Sequence, residues 1–263
     1  MKSILLIGYG AMARQAVTRL PPGVVLGAVV VPLAFVQDVR EEVDSRVQVA
    51  SDIADIRSAP DLVLECAGHA GLAEHGPAVL QRGWPLAVVS VGALADAALL
   101  ARLEAAAQAG GARLRLLSGA VAGMDGLSAA REGGLDDVMY VSRKAPRSWR
   151  GSPAESLVNL DEVKVATVFF EGSAGEAARC FPANANVAAT IALCGLGMER
   201  TRVQLIVDPQ ASSNTHRIQA RGAFGEMQIE VAGQPLPGNP RTSMLAALSM
   251  VRACRQLLGP VAL

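Results

Sequence analysis

Met1-Lys2-Ser3-Ile4-Leu5-Leu6-Ile7-Gly8-Tyr9-Gly10-Ala11-Met12-Ala13-Arg14 is the stretch that decides the fold. Ile4 to Ile7 is long enough for a buried strand and too short for a helix. The run breaks at Gly8-Tyr9-Gly10, and an amphipathic helical pattern follows from Ala11 towards Leu20. Strand, glycine turn and helix is the layout that holds the pyrophosphate of a dinucleotide. Gly8 allows the tight turn, Gly10 lets the backbone approach the phosphates, and the helix start at Ala11 and Met12 offers N–H groups and a positive dipole end. Ala13 stands where a third glycine is common. Such a triplet arises by chance elsewhere, so its weight here comes from its place directly after a strand.

Working outward, the chain of 263 residues suffices for one large domain or two modest ones. It is 51% hydrophobic with no net charge. The charge balance and the scarcity of aromatics exclude the usual nucleic-acid binder, and the balance also argues against docking on an anionic membrane. No secretory leader or membrane span is expected, since the first apolar run stops at Gly8. The cysteines Cys66, Cys180, Cys194 and Cys254 are scattered. They read as thiols of a cytoplasmic protein, with neither a disulfide frame nor a metal site.

Strands are expected at Val24–Val31, Val47–Ala50, Asp61–Cys66, Pro85–Val91 and Leu114–Leu117, with helices near Gly71–Arg82 and Ala95–Ala109. This alternation implies an α/β fold, an N-terminal Rossmann-type doubly wound parallel sheet with its ligand at the carboxyl ends of the strands. Small residues follow those ends, as in Ala67-Gly68-His69, Gly92 and Ala120. An acid that would hold the adenosine ribose is absent from the end of the second strand, and Asp38 comes later. The choice between NAD and NADP therefore stays open.

Beyond about Ala122 the rhythm changes. Helices are expected at Ser128–Gly133, Ala174–Arg179 and from Asn184, a candidate cap, to Leu193. Strands are expected at Val138–Arg143, Val163–Phe170, Arg202–Asp208, Thr215–Arg221 and Glu226–Val231, the last two forming a hairpin through Gly222-Ala223-Phe224-Gly225. This gives a smaller α+β domain with a largely antiparallel sheet. The expected division is residues 1–120 for dinucleotide binding, completed by a C-terminal segment 240–263, and residues 121–239 for a catalytic and dimerisation domain. Pro235–Pro240 reads as a linker and Thr242–Leu258 as the final helix.

Three histidines are available for acid–base work: His69, His75 and His216. His216 shares a strand face with Asn214, Ile218 and Ala220, which fits a buried structural ring as well as a general acid/base with Asn214 orienting it. His69 reads as a loop residue near the nicotinamide or a turn-fixing group, and His75 as an exposed helix position. Arg143 and Lys144 would suit a substrate carboxylate or simply a solvated loop. Asn186 would bond a ligand or cap its helix, and Asn239, Thr242 and Ser243 would hold an anion or cap the last helix.

The combination resembles the L-aspartate dehydrogenase family. The stretches that carry it are Glu65-Cys66-Ala67-Gly68-His69, Ser90-Val91-Gly92-Ala93-Leu94, Ser118-Gly119-Ala120, Arg143-Lys144, Phe170-Glu171-Gly172, Pro182-Ala183-Asn184-Ala185-Asn186-Val187-Ala188-Ala189-Thr190, Arg200-Thr201, Asn214-Thr215-His216 and Asn239-Pro240-Arg241-Thr242-Ser243. The resemblance implies a two-domain oxidoreductase using NAD or NADP, cytoplasmic and homodimeric. It would interconvert L-aspartate with iminoaspartate, or with oxaloacetate and ammonia, for NAD biosynthesis or aspartate breakdown. It implies a catalytic role for His216 and cofactor contacts at Ala120 and Asn186. Ala13, Val121-Ala122-Gly123 and Arg241 depart from common family patterns without removing a residue the chemistry needs. A reductase of homoserine dehydrogenase or dihydrodipicolinate reductase type, and a non-catalytic NAD(P) sensor, are the alternatives on fold grounds.

Overall fold

The computed structural model describes residues 1–182 and 185–260, apart from the side chains of Pro240 and Arg241. The cap expected at Asn184 lies outside the described residues. The chain divides into two compact units. One is Met1–Leu117 with Ala246–Leu263, and the other is Ser118–Leu245.

In the first unit the strands are β1 (Lys2–Ile7), β2 (Val24–Val30), β3 (Gln48–Ala50), β4 (Leu62–Glu65), β5 (Leu86–Val88) and β6 (Leu114–Leu116), with helices α1 (Ala11–Val17), α2 (Val36–Glu42), α3 (His69–Gln81) and α4 (Ala97–Gly110). Among the described residues they form one sheet in the order β3-β2-β1-β4-β5-β6, parallel throughout. This is the doubly wound order, reversing direction between β1 and β4, where such sheets bind ligands. Ile4, Leu5, Leu6 and Ile7 are each 1% exposed or less, because helices cover both faces of a parallel sheet. Asp38 lies in the first turn of α2, away from the end of β2.

The second unit holds α5 (Met124–Glu132), β7 (Leu135–Lys144), β8 (Thr167–Ser173), α6 (Ala174–Cys180), α7 (Ala185–Cys194), β9 (Arg202–Val207), β10 (Asn214–Gly222), β11 (Gly225–Gly233), β12 (Pro235–Leu236) and β13 (Asn239–Ser243). Its larger sheet runs β11-β10-β7-β9-β8 and is antiparallel except for the β7–β9 pair. One face carries Val138, Tyr140, Val203, Leu205, Ile218 and Ala220 into a core shared with α5, α6 and α7.

The structure corrects several expectations. β8 begins at Thr167, not Val163, because its neighbour β9 ends at Val207 and leaves nothing to pair with earlier residues. The expected linker at Pro235–Pro240 is a two-stranded ladder of β12 with β13. The last helix, α8 (Met244–Arg255), starts after Thr242, since Ser243 Oγ accepts from Leu245 N at its first turn. The unit boundaries fall at 117/118 and 245/246 instead of 120/121 and 239/240. Leu117 N donates to Val88 O, the last tie of that segment to the parallel sheet. His75, expected to be exposed, has a side chain only 12% exposed.

Candidate active site

In the first unit the turn after β1 meets the turn after β4. Gly8 has φ +91°, and a Cβ placed there would lie 2.8 Å from Ala67 Cα, so no other residue fits. Gly10 is different. It is exposed, and a Cβ at that position meets no atom within 4 Å. It is the N-cap of α1, where no side chain caps the helix and no acid occupies the first turn. Open space over an uncapped helix start suits a phosphate taking the N–H groups around Ala11 and Met12. Arg14 lies over the Tyr9 ring, its guanidinium 5.1 Å from the centroid, and pairs with Glu42. Gly10→Val is expected to leave thermal stability nearly unchanged and to weaken dinucleotide binding by about tenfold or more, read by titrating NADH fluorescence.

The turn after β4 is organised by a buried carboxylate. Glu65, 0% exposed, accepts at Oε1 from Ala67 N (2.8 Å), Gly68 N (3.0 Å) and Ser90 Oγ (2.8 Å), and at Oε2 from Ser90 N (3.1 Å). Burial raises its pKa, and these hydrogen bonds pull the other way with less effect. One side chain thus ties together the turns after β4 and β5, and it fixes Ala67 beside Gly8 and Gly68 just ahead of His69, the first residue of α3.

In the second unit, β7 and β10 bring chemistry to one sheet face. His216 stands directly opposite Ser142, and Ile218 opposite Tyr140. Alternation puts Tyr140, Ser142 and Lys144 on the face shared with His216 and Asn214. His216 is 6% exposed and Tyr140 2%, with 2.7 Å between the phenol oxygen and His216 Nδ1. Burial, then the nearby Lys144 charge, pushes the His216 pKa down to about 3. Burial lowers Lys144 to about 8 and raises Tyr140. The Lys144 amine lies 4.7 Å from the Trp149 ring centroid. At neutral pH the set is therefore a neutral imidazole able to accept a proton, a protonated phenol, and a lysine able to carry charge.

Not every expected residue joins this set. Arg143 faces the other side of the sheet and pairs with buried Asp208, which also accepts from Gln210 N at 2.9 Å. Asn214 was expected to orient the His216 ring, and the structure places Tyr140 at its Nδ1. Asn239, Thr242 and Ser243 belong to the β12–β13 ladder, a separate sheet from the one bearing His216. Asn186 lies in the first turn of α7, partly buried, and Ala120 in the turn after β6. Tyr140, Ser142 and the part played by Glu65 were missed as functional groups. A signal existed in Val138-Met139-Tyr140-Val141-Ser142, where a strand with a buried face places polar groups on it.

The parallel sheet with its glycine turn, and a second sheet presenting a neutral buried histidine beside a lysine, define a nicotinamide-dinucleotide-dependent dehydrogenase. Comparison with known proteins narrows this. The family model "Homoserine dehydrogenase, NAD binding domain" matches residues 8–117, and "Aspartate dehydrogenase, C-terminal" matches residues 125–257. The L-aspartate dehydrogenase of Serratia proteamaculans is 58% identical over 98% of both chains, and that of Acinetobacter baumannii 53% over 97% of both. The aspartate dehydrogenase of Thermotoga maritima superposes with a TM-score of 0.80 at 25% identity, covering 100% of this chain and 99% of that one. The chain belongs to the L-aspartate dehydrogenase family, enzymes that use NAD or NADP.

Proposed function

We propose that this chain oxidises L-aspartate with NAD(P)⁺ and water to oxaloacetate, ammonium, NAD(P)H and a released proton, through iminoaspartate, and catalyses the reverse reductive amination. The observation that carries this reading is the buried His216 on one sheet face with Lys144, in a chain of this family. Bound NAD(P)⁺ supplies a hydride acceptor at its nicotinamide ring. Ala11, Met12, Ala67 and Gly68 would hold the dinucleotide through their backbone, and His69, Ala120 and Asn186 are the further residues that would contact it.

His216 accepts a proton from the water that adds to the imine carbon. It then returns that proton as the carbon–nitrogen bond breaks and ammonia leaves. Lys144 attracts a substrate carboxylate, and its partial burial strengthens that attraction over one in open water. Asn214, on the same face, offers an amide to the substrate. Lys144→Met is expected to raise KM for aspartate by about ten- to a hundredfold and to raise the His216 pKa, since a positive charge beside it is lost.

The direct test follows the NAD(P)H absorbance band. L-aspartate is supplied with NAD⁺ or NADP⁺, and oxaloacetate with ammonium and the reduced cofactors. Turnover with L-aspartate and none with D-aspartate or L-homoserine supports the assignment. Binding of cofactor without turnover of any of these overturns it. The same reading makes the chain a cytoplasmic homodimer that serves NAD biosynthesis or aspartate breakdown. It rests on the family resemblance and on four cysteines in free thiol form, and sedimentation velocity tests the dimer.

A further inference from the structure

His216 has two neutral forms, and only the one with a bare Nε2 can take a proton there, because Nδ1 faces Tyr140. Two arrangements satisfy the 2.7 Å contact. In the first, the phenol donates to Nδ1, which leaves Nε2 protonated and useless as a base. In the second, Nδ1–H donates to the phenol oxygen, and the phenol proton needs another acceptor.

The structure holds a group suited to that need. Ser142 is 2% exposed, stands directly opposite His216, and follows Tyr140 by one same-face position on β7. Its Oγ makes no hydrogen bond among the described residues. It is nevertheless near enough to the phenol to act on its ionisation. A buried hydroxyl without a partner is uncommon and calls for a role. The second arrangement satisfies the imidazole and the phenol and leaves the serine proton to a further acceptor, the first leaves only a serine lone pair unused, and the second alone leaves Nε2 bare.

We propose that Tyr140 and Ser142 are positioning residues for the reaction, forming a chain His216 Nδ1–H to Tyr140 oxygen and Tyr140 O–H to Ser142 Oγ that keeps Nε2 bare. During turnover Nε2 takes the proton of the attacking water, and Nδ1 keeps its own proton and its bond to the phenol. Lys144 is the charged group whose field reaches His216 among the described residues, and it acts on the ring's charge without selecting between the neutral forms. This inference rests on the catalytic role proposed for His216.

The test is the nitrogen spectrum of protein labelled with ¹⁵N-histidine. It is tractable because the chain has three histidines and His216→Gln identifies the signal. At pH 7.5 the wild type is expected to show a protonated Nδ1 and a bare Nε2. Ser142→Ala and Tyr140→Phe are expected to move the ring towards the other form. They lower kcat by about five- to fiftyfold while KM and NADH affinity stay within about twofold. A purely structural Ser142 predicts the opposite, since removing a buried unbonded hydroxyl is neutral or stabilising. A protonated Nε2 in the wild type, or a tautomer and kcat indifferent to Ser142→Ala, overturns the proposal. Because the spectrum needs no substrate, a wild type inactive on aspartate with the expected tautomer would refute the reaction assignment and leave the hydrogen-bond chain standing.

Discussion

Replacing His216 with alanine is expected to lower aspartate turnover by about two to four decades, with KM and dinucleotide affinity changed little. The ring belongs to β10 of the second unit, and the glycine turn of Gly8 and Gly10 belongs to the first. The effect therefore falls on kcat. Steady-state rates with saturating aspartate, set beside an NADH titration, separate the two quantities. A folded variant keeping more than about a third of wild-type turnover would show that the ring is structural.

The same variant reports on stability. In the folded chain the His216 pKa is pushed down to about 3, against an ordinary value of 6.5. Folding therefore favours the neutral ring. Its contribution is fully present above about 6.5 and is lost as pH falls from there through 3, because the unfolded chain binds a proton that the folded chain refuses. His216→Ala lacks this term, so its unfolding midpoint is expected to fall less steeply than the wild type's between pH 6.5 and 4.5. Removing the ring also leaves a cavity and an unbonded Tyr140 hydroxyl, which lowers stability at every pH. The slope with pH, not the absolute midpoint, carries the information about the histidine.

The parallel sheet of the first unit was legible because each strand is an apolar run cut by small residues, as at Ile7-Gly8 and at Cys66-Ala67-Gly68. Strand lengths were less legible. Pro85–Val91 reads as one strand, yet β5 is only Leu86–Val88, since its neighbours offer partners for just that segment. Beyond Val88 the chain turns into the buried segment Val91–Ala95. The β10–β11 hairpin was visible because its turn is local, with Gly222 paired to Gly225. The β12–β13 ladder was not, because Pro235, Pro237 and Pro240 make an extended linker the natural reading of that stretch. In the site, His216 could be singled out by its place in an alternating strand. Tyr140 lies 76 positions away, and no periodicity links two residues joined only by strand pairing. Arg143 and Lys144 look equivalent as neighbours in sequence. The pleat separates them, sending one to Asp208 and the other to the face of His216.

Glu65→Ala is expected to give the largest loss of stability among single changes in the first unit, about 3 to 5 kcal/mol. The carboxylate is fully buried and receives hydrogen bonds from Ala67 N, Gly68 N, Ser90 N and Ser90 Oγ. Truncation leaves the buried Ser90 N–H and O–H facing a cavity, and it frees the N–H groups of Ala67 and Gly68, which lie nearer the surface. An unfolding midpoint lower by about 10 °C is the expected reading at this chain length. Function falls with it, because Glu65 fixes Ala67 beside Gly8 and Gly68 just ahead of His69, and a loosened turn raises the dissociation constant for NADH even well below the melting range. Glu65→Gln separates charge from shape. It keeps the three bonds at Oε1 but turns an NH₂ towards Ser90 N–H, so a loss of about 1 to 2 kcal/mol is expected, with partial recovery of cofactor binding. The two proteins should also differ in pH dependence. Burial raises the Glu65 pKa, so folding favours its neutral acid; that contribution is complete below the ordinary value of 4.5 and declines as pH rises through the raised one. The wild type therefore loses stability as pH rises from 4.5 to that raised value, and Glu65→Gln, which does not titrate, lacks that part of the decline. Parallel stability curves for wild type and Glu65→Gln across pH 5 to 9 would mean that the four hydrogen bonds outweigh burial and that Glu65 is held ionised throughout.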